Sequence, residues 1–374
     1  MFLALPEGEP VGIPLAVKDL FDTAGLVTTY GSALFADHIP EATAPPVTAL
    51  EAAGYTNVGK TNLHEFAFGT TSENPHFGVV PNPLAPGRVA GGSSGGNAAA
   101  LVLGAAELAL GTDSGGSIRI PAACCGIVGF KPTYGLVSLD GCFPLAPTFD
   151  HAGPMARDVA TCEEALRVLV PGYEPRAIGS LEELSVAVAW LDGASPLVRA
   201  RVEQAAARFP HRTVLAVPEP EQIGRLFMHE VAGVHAELFA ENADLYGEDL
   251  RIKIERCLEV SDAEAAAAAR SREEYRERVE ALVDAFDLLV TPTLPVVAPR
   301  VGEGGTGDLD VRELLISRTL PFNTLGWPAL ALPCGPAEDG LPASIQLVAK
   351  PGEDALVLAA GWLLEAALGH PPIE

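Results

Sequence analysis

The 374-residue chain has no excess of positive charge: 24 Lys and Arg stand against 49 Asp and Glu, a formal net charge of −25. Nucleic acid and anionic lipid both attract a basic face, so this balance disfavours direct binding to either. The chain also lacks any apolar run near the ~18 residues that a membrane-spanning helix needs. Residues Met1 to Pro10 carry neither Lys nor Arg, and their apolar stretch is too short for a signal peptide. No membrane association is expected. Cysteine is sparse: Cys124, Cys125, Cys142, Cys162, Cys257 and Cys334 form no CxxC pair and no spacing that suggests zinc. They read as buried reduced thiols of a cytoplasmic protein, with no metal and no other cofactor implied. No internal repeat is evident. With 48% hydrophobic and only 20% charged residues, the composition excludes a disordered chain and allows a sizeable core.

Glycine is abundant, at 38 residues, and two glycine clusters enclose serines. The first is Gly91-Gly92-Ser93-Ser94-Gly95-Gly96; the second is Gly111-Thr112-Asp113-Ser114-Gly115-Gly116-Ser117-Ile118-Arg119-Ile120-Pro121. Glycine permits positive φ and close backbone approach, so main-chain N–H groups can converge on a polarised atom beside a serine hydroxyl. Acyl transfer needs that arrangement. The competing reading is a flexible Gly/Ser linker. Against it, Ala98 to Leu110 is apolar apart from Glu107 and ties the two loops to a core.

Earlier in the chain, Val11 to Lys18 reads as a buried strand that ends on a lysine. Such a lysine is commonly a snorkelling surface charge. Buried, it becomes a base near neutral pH, because desolvation favours the neutral amine. Asp19 points to the opposite face of the strand and need not neutralise it. Further elements are a helix over Ala44–Ala53, strands at Tyr55–Val58, Ile127–Pro132 and Tyr134–Ser138, a helix over Arg157–Val170 and a strand at Val186–Trp190. Leu226–Val283 is mostly helical, with a solvated face over Ala263–Arg278. A strand at Phe286–Val290, a loop at Gly302–Asp310, strands at Ala329–Pro333 and Ile345–Val348 and a closing helix at Ala355–Leu368 complete the chain. This alternation indicates an α/β fold with a central mixed sheet surrounded by helices, and the length allows one or two domains.

Two rival motifs call for a structural test. Gly54 to Thr61 matches the phosphate-loop pattern GxxxxGK[ST], with Val186 to Asp192 as a strand ending in a metal-binding aspartate, which would make a nucleotide hydrolase. Its context is wrong, because Leu50 to Ala53 ends a helix and Tyr55 to Val58 is itself the strand. Gly92 to Gly96 also fits GxSxG, which would make Ser94 the nucleophile of an α/β-hydrolase, with His151, His211, His229, His235 or His370 as its base. That reading leaves the second serine loop unexplained.

The lysine strand and both serine loops, together with Gly59-Lys60-Thr61-Asn62, Glu65-Phe66-Ala67 and Gly129-Phe130-Lys131-Pro132-Thr133, resemble the amidase signature family. Phe286 to Thr293, Gly326-Trp327-Pro328-Ala329-Leu330 and Gln346 extend the resemblance over nearly the whole chain from Gly12 onward. The resemblance implies one amidase domain over residues 1–374. Its signature core would span about 12–160, a variable substrate-side region about 173–310, and the C-terminal strands and helix about 311–374. It implies Ser117 as nucleophile, Ser93 as bridging serine after a cis peptide bond, and Lys18 as base. The main-chain N–H groups of Ser114, Gly115, Gly116 and Ser117 would form the oxyanion hole. Ser94, Asp113 and Arg119 would hold the loops, and backbone near Ala67 would meet a small-molecule amide substrate. Gly59-Lys60-Thr61 then becomes a structural strand segment, and the phosphate loop falls away.

Family members usually carry a longer helical segment before this lysine, whereas 17 residues precede Lys18 here. One branch of the family, the glutaminase component of tRNA-dependent amidotransferases, releases ammonia from glutamine. Its loop reads Gln after Ser-Ile-Arg, where this chain has Ile120, and its Arg-Tyr-Asp-Gly run is absent between Gly224 and Arg278; the nearest sequence, Leu245 to Asp249, lacks the arginine. The expectation is a stand-alone amidase acting on an uncharged or apolar amide. The amidotransferase component is the alternative, an inactive binding protein is disfavoured by the retention of Lys18, Ser93 and Ser117, and a homodimer is left open.

Overall fold

The computed structural model describes residues 1–8, 10–303 and 309–369. Among these, eleven strands form one sheet: β1 (Phe2–Ala4), β2 (Ile13–Lys18), β3 (Tyr55–Thr61), β4 (Leu108–Thr112), β5 (Val128–Lys131), β6 (Ala152–Ala156), β7 (Ser185–Val188), β8 (His211–Val214), β9 (Leu288–Pro292), β10 (Ala329–Pro336) and β11 (Pro342–Val348). Their spatial order is β1-β3-β2-β4-β6-β5-β10-β11-β9-β7-β8. β2 runs parallel to both β3 and β4, and β9, β7 and β8 are parallel at the other end. The middle is antiparallel. The mixed sheet expected from the sequence is present.

Helices cover both faces: α1 (Pro45–Ala52), α2 (Gly95–Val102), α3 (Arg119–Cys125), α4 (Val159–Leu169), α5 (Pro196–Ala206), α6 (Ile223–Asn242), α7 (Glu248–Leu258), α8 (Asp262–Val283), α9 (Leu309–Ile316), α10 (Leu320–Leu325) and α11 (Asp354–Leu368). Successive side chains of a strand face opposite ways. Leu15 and Val17 enter the core formed with α1, α4, α5 and α11, while Ala16 enters the core formed with α2 and α3. Lys18 shares the phase of Ala16, so the strand delivers it to the side where α2 and α3 begin. Both serine loops lie at those helix starts.

A separate aromatic cluster joins Phe66, Phe68, Phe149 and Phe227 under α6 and α7. In α8 the buried residues Ala265, Ala268, Arg272, Tyr275, Val279 and Val283 recur every three or four positions, leaving the rest of Ala263–Arg278 in water as expected. Ser261 and Glu264 form a reciprocal cap at its start.

Two expectations need correction. Tyr134–Ser138 is a turn rather than a strand: Gly135 takes a left-handed φ of +75° and Leu136 N–H donates to Thr133 O at 3.1 Å, which folds the chain back after Pro132. In the loop expected at Gly302–Asp310, residues 304–308 lie outside the described residues, and α9 has already begun at Leu309. Four strands not expected from the sequence also appear, β1, β4, β6 and β8. β6 is short and rich in small residues, and β8 is an edge strand whose four residues are all exposed.

Close packing of α2 on β3 requires Gly96, where a Cβ would stand 2.3 Å from Asn62 O. Gly96→Ala should therefore cost about 1–3 kcal/mol through overpacking. Gly233, within α6, has open space around it and no positive φ. Gly233→Ala should stabilise by about 0.5–1 kcal/mol, since alanine restricts the unfolded chain. Denaturant midpoints that moved the same way for both variants would contradict this account of the helix packing.

Candidate active site

Lys18 closes β2 completely out of water, and its Nζ donates to Ser93 Oγ at 2.7 Å and to Thr112 Oγ1 at 2.6 Å. Burial lowers the ammonium to about 7, against the opposing pull of Cys142, Asp113 and Asp150. Asp19 does face the other way. It pairs with Lys60 at 3.2 Å and accepts from Thr29 N–H and Oγ1 at 2.8 and 2.6 Å. Lys60 also donates to Phe21 O at 2.5 Å and Thr28 Oγ1 at 2.7 Å. The lysine of the phosphate-loop pattern is thus a buried strand residue of β3, and Asp192 is exposed on an ion pair with Arg199. Those two positions form no nucleotide site.

The Gly92–Ser93 peptide is cis. Ser93 O accepts from His64 N–H at 3.2 Å and Ser72 Oγ at 3.2 Å, and Ser72 Oγ accepts from Gly95 N–H at 3.1 Å. His64 begins the turn that carries Ala67, where Phe66 and Ala67 both take left-handed φ, +46° and +59°. The first serine loop and the Ala67 turn are therefore tied together. Ser94 N–H donates to Ser117 O at 3.3 Å and links the first loop to the second, while Ser94 Oγ donates to Thr112 O at 3.3 Å. Among the described residues no histidine bonds to Ser94. His151 and His235 are engaged with Phe149 O and Tyr246 Oη, burial keeps both neutral, His229 pairs with Asp262, and His370 lies outside the described residues. The Ser94 hydroxyl is thus engaged with a backbone carbonyl.

The second loop is clamped by Asp113. Its Oδ1 accepts from Gly116 N–H at 2.8 Å and its Oδ2 from Ile118 N–H at 3.2 Å. Arg119 approaches the same carboxylate through Nε and Nη2, both at 2.9 Å. Its remaining donors reach Thr319 O at 3.0 Å, Gln346 Oε1 at 2.7 Å and Asn323 Oδ1 at 2.7 Å. All five N–H groups of the guanidinium are used. Burial alone would raise the Asp113 carboxyl, but Arg119, by charge and by hydrogen bond, overcomes this and holds it well below the usual carboxylate range. Gly116 sits at φ +130° with Thr319 Oγ1 only 2.3 Å from where a Cβ would be, so no other residue fits. Its N–H is committed to Asp113. Of the four N–H groups expected at an oxyanion hole, those of Ser114, Gly115 and Ser117 have no acceptor among the described residues.

Lys18 and Ser93 are thus bonded, and the Ser117 loop is fixed beside them with its side chain almost wholly buried. No hydrogen bond joins the Ser117 hydroxyl to Ser93. A cavity of about 130 Å³ adjoins the group, lined by Thr112, Ser114, Cys142 and Asp150 among others. Thr112, Ser72, Thr319 and Asn323 were missed in the sequence. Thr112 stood within a quoted loop, but its hydroxyl is identified only by where β2 ends.

A family model described as Amidase matches residues 6–358. The AtzE component of the 1-carboxybiuret hydrolase of Pseudomonas sp. (strain ADP) is 37% identical over 95% of this chain and 83% of its own length. The A component of the glutamyl-tRNA(Gln) amidotransferase of Halobacterium salinarum is 36% identical over 95% of each chain. Among solved structures, one titled crystal structure of amidase superposes with a TM-score of 0.87 at 37% identity, covering 96% of this chain and 85% of that one.

Asp113→Ala would leave the Arg119 charge buried without its partner, and should cost about 3–5 kcal/mol. The exposed pair Arg176 with Glu353 provides the contrast, since both side chains are about half exposed. Arg176→Ala should cost less than about 1 kcal/mol. Equal losses of stability on urea unfolding would show that the buried pair does not hold the loop.

Proposed function

The chain belongs to the amidase family, as a hydrolase of amide C–N bonds, and we propose that it acts through Lys18, Ser93 and Ser117 by way of an acyl-enzyme. The observation that carries this reading is the 2.7 Å hydrogen bond from a fully buried Lys18 to Ser93 Oγ, beside the Ser117 loop. In its neutral form Lys18 takes the Ser93 proton as Ser93 takes that of Ser117. The Ser117 oxygen forms its bond to the amide carbonyl carbon. The N–H groups of Ser114, Gly115 and Ser117 receive the charge that develops on the carbonyl oxygen. The proton returns through Ser93 to the leaving nitrogen, the C–N bond breaks, and ammonia or an amine departs. Water then attacks the ester on Ser117 by the same proton route and releases the carboxylic acid. The hydroxyls of Ser93 and Ser117 need to close up only when substrate is bound, as catalytic hydrogen bonds commonly do.

A stand-alone amidase is favoured over an amidotransferase component by the missing Arg-Tyr-Asp-Gly run. Ile120 does not bear on the choice through substrate contact, since it is fully buried beneath Gly116. The purified chain should hydrolyse simple amides without a partner. Turnover confined to glutamine, and only with a second protein present, would favour the amidotransferase reading.

Ser117→Ala should abolish amide hydrolysis, and Lys18→Ala and Ser93→Ala should lower it by about 10²- to 10⁴-fold, the usual worth of a positioned proton carrier. Because burial brings Lys18 down to about 7, the base is protonated in acid and free above neutrality. Rates should therefore climb from acid to mildly alkaline pH with a midpoint near 7. A pH profile that kept this midpoint in Lys18→Ala would take the lysine out of the mechanism.

A further inference from the structure

A second cavity, of about 280 Å³, is lined in part by Ile316 and Leu320, which also adjoin the Ser114–Ser117 loop. A Cβ placed on Gly115 would stand 3.6 Å from Leu320 Cδ1 and 3.9 Å from Ile316 Cγ2, and both of these residues also line the cavity. Thr319 Oγ1, between them in sequence, donates to Gly115 O at 2.6 Å. The opposite wall is Phe68, which follows the Ala67 turn, with Phe227 and Met228 from α6. An acyl chain attached at Ser117 would find an apolar room here.

Three cations line that room, and they are not equivalent. Lys253 is already committed, donating to Asp249 Oδ2 at 2.5 Å and to Phe68 O at 3.3 Å. Arg256 is exposed at the rim. Arg312, on α9, is half-buried, with its guanidinium carbon 5.4 Å from the ring centre of Phe68 and 5.7 Å from that of Phe227. Among the described residues it makes no hydrogen bond and no ion pair; of the acids whose charge reaches it, Glu313 is exposed and Asp249 is bonded to Lys253 and His64. The two rings cover part of the guanidinium, and with no bonded partner among the described residues its five donors are left to solvent or to an anion that enters the room. Its planar fork matches a carboxylate in bidentate fashion.

Resting on the amide-hydrolase reading above, we propose that the substrate is an amide whose acyl chain ends in a carboxylate, and that Arg312 is the residue that receives it. Arg312 stands one helical turn before Ile316, about 6 Å along the axis, so several methylene groups separate the carboxylate from the scissile amide. The arginine sought between Gly224 and Arg278 comes instead from a later helix, and the expected uncharged substrate gives way to an anionic one.

The test pairs straight-chain diacid monoamides, from butanedioic to octanedioic, with neutral amides of the same length. At the best length, kcat/KM should favour the charged member by about 10- to 100-fold, the worth of one charge-assisted bidentate contact. Arg312→Gln should erase that ratio and Arg312→Lys should restore part of it. A merely structural loss would lower both members alike and leave the ratio intact. A ratio unchanged in Arg312→Gln, or neutral amides preferred at every length, would overturn the proposal. Calorimetry of the same pairs on Ser117→Ala protein reads the charge preference without turnover. Preference in binding with no hydrolysis of any amide by the unaltered protein would remove the hydrolytic reading alone. Hydrolysis of neutral amides with no charge preference would remove the Arg312 pocket alone.

Discussion

The Asp113 carboxylate and the Arg119 guanidinium lie wholly out of water, and two such charges persist there only when every remaining donor is matched. They are matched by groups far apart in the chain: the Gly116 and Ile118 N–H groups of the loop itself, Asn323 of α10, the Thr319 carbonyl and Gln346 of β11. One carboxylate thereby orients its own loop, and one guanidinium ties that loop to the C-terminal half of the sheet. Satisfied buried networks of this kind specify one geometry, because a partly made version leaves a charge unpaired. The positions of Ser117 and of the free N–H groups beside it follow from this contact.

Alternation along β2 separates two jobs that would otherwise interfere. The base role proposed for Lys18 calls for a dry surrounding with no carboxylate bonded to the amine, so that it is neutral near physiological pH. Asp19, one residue later, faces Lys60 and Thr29 on the opposite side. A one-residue slip of this strand would exchange them and put an aspartate beside Ser93 in place of the lysine. Parallel pairing with β3 on one side and β4 on the other, each over several residues, holds the register.

Much of this was legible in the sequence because the relevant signals are local. Glycine-flanked serines, a lysine ending an apolar strand and an Ala/Glu/Arg helix all carry their meaning within a dozen residues. Tyr134–Ser138 misled because its apolar residues suggest a strand, whereas Gly135 turns the chain and only Val137 is left to fill the core. Of the partners of Asp113, Arg119 lies in the same loop, but Asn323 is 210 positions away, and nothing in its neighbourhood marks it as a partner. Arg312 is the same case. The role proposed for it depends on two aromatic rings brought from distant parts of the chain, and it lies outside the Gly224–Arg278 stretch.

The edge strand β8 ends the sheet with four exposed residues and unpaired backbone on its outer side, and Val214 is 77% exposed. Such an edge is a template on which another chain can add a strand. Its shortness and the presence of Arg212 blunt that tendency only in part. The stronger safeguard is the charge of −25 carried by the whole chain, which makes copies repel one another. The acidic composition that disfavours nucleic acid as a partner therefore also has a colloidal role. As carboxylates take up protons in acid, or as salt screens them, that repulsion fades while the edge remains.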